Sequence, residues 1–170
     1  MYMTTLYLVR HGETKDNIAK IMQGQRQGDL APTGIAQIEE LATSLSSIPF
    51  DAIISSDLRR AYDSAKILAD QRNMSVVTTP LLRERDWGDF TGRYILDLKG
   101  LPFPDNVETM DDLLNRAQSF LEWIKTNYPD KTVLAVGHGI INKAIQAVYY
   151  GKTTREILKM SNAEYRILKL

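Results

Sequence analysis

Short apolar runs that could be strands alternate along this chain with longer amphipathic stretches that could only be helices. Thr4–Val9, Ala52–Ser55, Ser75–Thr79 and Lys131–Val136 are four to six residues long, apolar or β-branched, and each is followed by polar or turn residues. Between them Pro32 and Thr33 open a helical stretch with Ile35, Ile38, Leu41, Ala42 and Leu45 on one face. Asp57 can cap a second helix carrying Leu58, Ala61, Ala65 and Leu68. Thr109 can cap the longest helix, 109–127, whose stripe runs Met110, Leu113, Leu114, Ala117, Phe120, Leu121 and Ile124. Ile140–Tyr150 reads as a helix ended by Gly151, followed by a short helix over Thr154–Met160 and a closing strand, EYRILKL. Residues 83–106 read as a long working loop with one short helix near Tyr94–Lys99. Such alternation predicts an α/β fold, a three-layer α/β/α sandwich with a mostly parallel sheet, and no linker or repeat divides residues 1–170 into more than one domain.

Composition narrows the function. Twenty-one basic residues balance twenty-one acidic ones, so no overall field attracts nucleic acid or an anionic membrane. Cysteine is absent, which removes disulfides, thiolate chemistry and the usual sulfur ligands of zinc. The opening MYMTTLYLVRHG lacks a basic n-region and its apolar run is too short for a signal peptide. These features predict a soluble, cytoplasmic protein, monomeric or homodimeric, with no nucleic-acid or membrane partner.

In α/β sheets ligands gather beyond the carboxyl ends of the strands. Here the first strand ends in Arg10-His11-Gly12, and the TVLAV strand ends in Gly137-His138-Gly139. Both of the chain's two histidines therefore stand at strand exits, each followed by glycine. The second strand ends in Ser55-Ser56 and leads to Arg59 and Arg60, and the third leads to Arg83 and Glu84. A site of two histidines and a carboxylate could bind a metal. Adjacent arginines would oppose a metal, whereas they suit a phosphate.

In these residues the chain resembles the histidine phosphatase superfamily, the phosphoglycerate-mutase-like group with an Arg-His-Gly signature. LVRHGET (8–14) with Asn17 is similar to its nucleophile motif, and QGQRQGDLAPTG (23–34) to the loop that follows. SSDLRRA (55–61) resembles the second arginine motif, LRERDWGDFTG (82–92) the acid motif, VLAVGHG (133–139) the second-histidine motif, and SNAEYRILKL the closing strand. Two stretches depart from the pattern: NVET (106–109) stands for the usual Gly-Gly-Glu-Ser, keeping Glu108 and a hydroxyl at Thr109, and Asp29-Leu30-Ala31-Pro32-Thr33 replaces Asp-x-Pro-Leu-Thr.

The resemblance implies a metal-independent phosphomonoesterase, with no cofactor, acting on a small phosphorylated metabolite. It places the nucleophile at His11, which would form a phosphohistidine, and the general acid at Glu84. Arg10, Arg60 and a protonated His138 would depress the His11 pKa and bind the phosphoryl group, helped by Asn17, Gln23, Gly24 and Gly139. Crowding and burial would raise the pKa of Glu84, with Asp86 or Asp89 next in line for its role. Mutases of the family carry a long insertion between the acid and second-histidine motifs. The short stretch here favours hydrolysis, with a cofactor-dependent phosphoglycerate mutase as the alternative and a non-catalytic phosphoryl-binding protein as a further one. Residues 19–26 and 85–106 would select the substrate, with Arg26, Arg85, Arg93, Tyr94 and Phe103 as candidates.

Overall fold

The computed structural model describes residues 3–170. Met1 and Tyr2, the start of the opening MYMTTLYLVRHG read above against a signal peptide, lie outside the described residues. Five strands form one sheet: β1 (Thr5–Arg10), β2 (Ala52–Ser56), β3 (Val76–Thr79), β4 (Thr132–Gly137) and β5 (Tyr165–Lys169), in the spatial order β3-β2-β4-β1-β5. All neighbours run parallel except β5, which pairs antiparallel with β1 at the edge.

The central strands are buried on both faces, which is why they read as unbroken apolar runs. Along β4, Val133 and Ala135 face one core while Leu134 and Val136 face the other. The first core is closed by α4 (Met110–Asn127) and α5 (Gly139–Tyr150), through Leu113, Phe120, Ile124, Ile141 and Ile145. The second is closed by α2 (Pro32–Ser44) and α3 (Arg59–Asp70), through Ile38, Leu41, Ala61, Ala65 and Leu68. This is the expected three-layer α/β/α sandwich. Among the described residues no helix is long and apolar enough to cross a membrane.

Several local expectations are corrected. Asp57 does not cap α3: its carboxylate is taken by a bidentate ion pair with Arg83, both bonds 2.7 Å. The first N–H groups of α3 go to Gln27 instead, Arg59 N–H to its side chain at 3.0 Å and Arg60 N–H to its carbonyl at 3.2 Å. Ile35 is exposed, because the buried face of α2 begins at Gly34. The helices expected over Thr154–Met160 and Tyr94–Lys99 are only 3₁₀ turns, Thr154–Glu156 and Ile95–Leu98. After the first of these the chain extends, and Met160 drops fully into the core while its carbonyl accepts from Arg10 Nη1 at 2.7 Å. One short helix, α1 (Lys15–Ala19), was not anticipated. It starts in a capping box between Thr14 and Asn17.

Candidate active site

Sheet register builds the centre of the site. β1 and β4 are parallel neighbours with Arg10 paired to Gly137, so His11 and His138 leave the sheet side by side. Their rings lie 5.0 Å apart. His11 N–H still donates to Gly137 O at 3.2 Å, continuing the ladder one step past the strand. Gly12 does not serve a left-handed turn, as its φ is not positive. A β-carbon there would lie 2.5 Å from the Gly34 carbonyl oxygen, and one on Gly34 would lie 2.0 Å from the Glu13 oxygen. Two glycines thus let the first turn of α2 press directly on the segment that carries His11.

Both histidines are buried and neutral. Burial first, then the Arg60 and Arg10 charges, lowers the His11 pKa to about 3. Its Nδ1 lies 2.7 Å from the Gly12 carbonyl, which can only accept. The ring proton is therefore on Nδ1, and Nε2 carries the free lone pair. His138 is fully enclosed, and burial followed by the charge of Arg60 holds its pKa well below the ordinary value. The expectation of a protonated His138 is corrected: two arginines and complete desolvation keep it neutral. Its Nε2 lies 2.9 Å from Ser56 Oγ at the end of β2.

Arg60, from the first turn of α3, is buried to 1% exposure, and its pKa falls to about 10 through burial, leaving it cationic at neutral pH. It pins the 24–27 loop: Nη2 donates to Gly24 O at 2.7 Å, and Nη1 to the carbonyls of Gln27, at 3.3 Å, and Arg26. Gly28 makes this wrapping possible. Its φ is +73°, and a β-carbon would sit 3.0 Å from Arg60 Cδ. Arg10 is anchored by the Met160 carbonyl, and burial lowers its pKa as well. Four buried side-chain atoms lack a hydrogen-bond partner among the described residues, and three of them are Arg10 Nε, Arg60 Nε and His138 Nδ1. Buried donors without partners are costly, and since Arg10 and Arg60 line one cleft, their unpartnered nitrogens mark it as a place where an anion would be held.

Glu84 reaches the same cleft from the segment after β3. The expected crowded, buried carboxyl is instead half-buried and lies against the N-terminus of α5. It accepts from the Ile140 N–H at 3.1 Å, the Ile141 N–H at 3.0 Å and its neighbour Arg85 N–H at 2.9 Å. Asp86 and Asp89 are exposed and stabilise the following turns, Asp86 with Gly88 N–H and Asp89 with Asn106.

A cleft of about 310 Å³ joins these groups. Arg10, His11, Asn17, Gln23, Gly24, Arg60, Glu84 and Gly139 all line it, while His138, fully buried with its ring 5.0 Å from that of His11, is not part of the lining. Asn17 uses its Oδ1 on the Thr14 N–H and on Asn162, which leaves its Nδ2 for a ligand. Gln23 is fixed by the Thr14 hydroxyl at 3.1 Å.

The substrate-selecting residues are corrected. Arg26, Arg85, Arg93, Tyr94 and Phe103 do not line the cleft, and the same two stretches contribute Ile21, Met22, Trp87 and Ile95 instead. Arg85 packs on the edge-to-face pair Trp87 and Phe103, 4.8 and 5.3 Å from their centroids, and Arg93 lies over Phe90. Lys159 and Ile140 complete the wall. Lys159 lies in a stretch read as plain helix, and no signal in the sequence pointed to it.

The fold and the cleft define an α/β enzyme that gathers two neutral histidines, two arginines and a carboxylate at the carboxyl edge of its sheet. Residues 6–170 match the model of the histidine phosphatase superfamily (branch 1), and the chain is a phosphatase belonging to that family. It is 35% identical over 141 residues to PhoE of Bacillus subtilis (strain 168), described as an uncharacterized phosphatase, covering 81% of this chain and 72% of that one. It is 36% identical over 153 residues to the "Probable phosphoglycerate mutase GpmB" of Proteus mirabilis (strain HI4320), covering 81% and 71%. Among solved structures, a mycobacterial glucosyl-3-phosphoglycerate phosphatase complexed with VO3 superposes with a TM-score of 0.87 at 28% identity, over 96% of this chain and 91% of that one.

Proposed function

We propose that this phosphatase hydrolyses monoesters of small phosphorylated metabolites, without a metal, through a phosphohistidine on His11. The observation that carries the reading is the free Nε2 lone pair of a neutral His11 in the same cleft as the unpartnered nitrogens of Arg10 and Arg60. In the first half-reaction Nε2 forms a bond to phosphorus as the ester P–O bond breaks. The departing oxygen takes a proton from Glu84. In the second, water attacks the phosphohistidine, gives a proton back to Glu84, and the N–P bond breaks to restore neutral His11. Arg10, Arg60, Asn17 and the N–H of Gly139 hold the equatorial oxygens, and Ser56 can donate to His138 Nε2 so that its Nδ1–H adds a neutral donor. Positioned donors of this kind are commonly the largest contribution to phosphoryl transfer.

Between Glu84 and His138 the chain makes short 3₁₀ turns and then α4, which packs on the core. That arrangement favours attack by water over retention of a phosphorylated intermediate.

The test separates His11 from Glu84. His11→Ala should give no acid-labile phosphoenzyme with any substrate. Glu84→Gln should still be phosphorylated by dinitrophenyl phosphate, whose phenolate leaves unaided, and should then accumulate phosphohistidine because water has lost its base. With poor leaving groups Glu84→Gln should lose about 10²–10⁴-fold. Activity should survive a strong chelator, and 3-phosphoglycerate supplied with its bisphosphate should be hydrolysed rather than isomerised. Loss of activity on chelation with recovery on adding a divalent ion would reject the metal-free mechanism.

A further inference from the structure

The Glu108 retained in NVET does not face the cleft. It lies under the segment that carries Glu84, in a bidentate ion pair with Arg116 of α4: Nη2 to Oε1 at 2.8 Å and Nε to Oε2 at 3.1 Å. Both side chains are largely buried, at 16% and 13% exposure. The remaining donors of Arg116 go to the backbone around Glu84. Nη1 reaches Leu81 O at 3.0 Å and Arg83 O at 2.6 Å, and Nη2 reaches Glu84 O at 3.4 Å. Glu108 grips the next residues. Its Oε1 accepts from Asp86 N–H at 3.0 Å, its N–H donates to Asp86 O at 2.8 Å, and its carbonyl accepts from Arg85 Nε at 2.8 Å.

We propose that the Arg116–Glu108 pair is the positioning device of Glu84, fixing residues 81–86 so that the carboxyl stands where proton transfer needs it. The inference rests on the general acid–base reading of Glu84 given above. Neither residue lines the cleft, so neither is catalytic itself. A planar guanidinium that bonds a carboxylate through one edge and backbone carbonyls through the other defines the height and direction of the loop together. Lysine at 116 would keep the charge but not that fork. Proton transfer is sensitive to distance, so a small relaxation of this loop costs rate, while Arg10 and Arg60 keep their own anchors on the Met160 carbonyl and the 24–27 loop.

The experiment compares Arg116→Ala, Arg116→Lys and Glu108→Gln with Glu84→Gln on substituted phenyl phosphates from dinitrophenyl to unsubstituted phenyl. Arg116→Ala should lose about 10²-fold in kcat/KM on phenyl phosphate and less than about fivefold on dinitrophenyl phosphate, echoing Glu84→Gln. Arg116→Lys should recover only part of the loss. Adding Arg116→Ala to Glu84→Gln should cost little more on phenyl phosphate than Glu84→Gln alone, because residues acting through one group are not additive. If Arg116→Ala does not fold, Glu108→Gln carries the same comparison. Equal losses across all leaving groups, or full additivity with Glu84→Gln, would overturn the positioning role. If Glu84→Gln itself shows no dependence on the leaving group, the acid–base reading fails, an outcome distinct from the first.

Discussion

At the scale of single residues the burial of His11 governs how activity responds to acid. With its pKa near 3 because of burial and the neighbouring arginines, the imidazole stays nucleophilic far below the pH at which an ordinary histidine is lost. For dinitrophenyl phosphate, which needs no proton from Glu84, kcat/KM of the free enzyme should therefore show no histidine ionisation between pH ~7 and ~5. The substrate's own second ionisation should not mimic one, because the nitro groups draw it below the pH ~6 of an ordinary phosphate monoester. An acid limb centred near pH ~6.5 would show that His11 titrates like an exposed histidine. The polar lining of the cleft was legible in the sequence because it follows strand ends, His11 directly and Arg60 and Glu84 a few residues on. Ile21, Met22 and Ile95 were not, since an apolar wall residue looks the same as a core residue until the chain is folded. Arg116 was hidden for a different reason: its ion-pair partner Glu108 is 8 residues away, but the carbonyls it grips lie 32 to 35 residues back in the chain.

Among the elements, strands were easier to read than turns. Burial on both faces leaves an unmistakable apolar run, whereas the 3₁₀ turns after β3 are only three or four residues long, too short to show a period. Asp57 shows a second difficulty: an acceptable cap by type, it is claimed by Arg83 across the loop, and Gln27 does the capping. The contact between α2 and the His11 segment yields a prediction at this level. Gly34→Ala places a β-carbon against the Glu13 backbone, which cannot swing away as a side chain would. It should destabilise the protein by about 1–3 kcal/mol. It should also lower kcat/KM on every substituted phenyl phosphate alike, since it displaces His11, the proposed nucleophile, rather than Glu84. Thermal unfolding and the leaving-group series measure the two effects separately.

For the molecule as a whole, the enclosed histidine pair makes stability depend on pH in a defined sense. Below the unfolded value near 6.5 the unfolded chain takes up protons that the folded chain refuses, until the folded pKa of about 3 is reached for His11. Stability should thus be full above pH ~6.5 and fall as acid is added, each histidine contributing a slope of up to about 1.4 kcal/mol per pH unit. Urea unfolding between pH ~7 and ~5 should show this, and His138→Asn should remove about one proton from the slope. The pairing of β1 with β4 has a consequence of another kind. Neighbouring strands stand about 4.8 Å apart whatever their sequence, and the 5.0 Å between the imidazoles repeats that interval. The backbone ladder is therefore the ruler of this chemistry. Loops around the cleft can be lengthened, shortened or rebuilt for new substrates while the two rings keep the gauge the sheet sets for them.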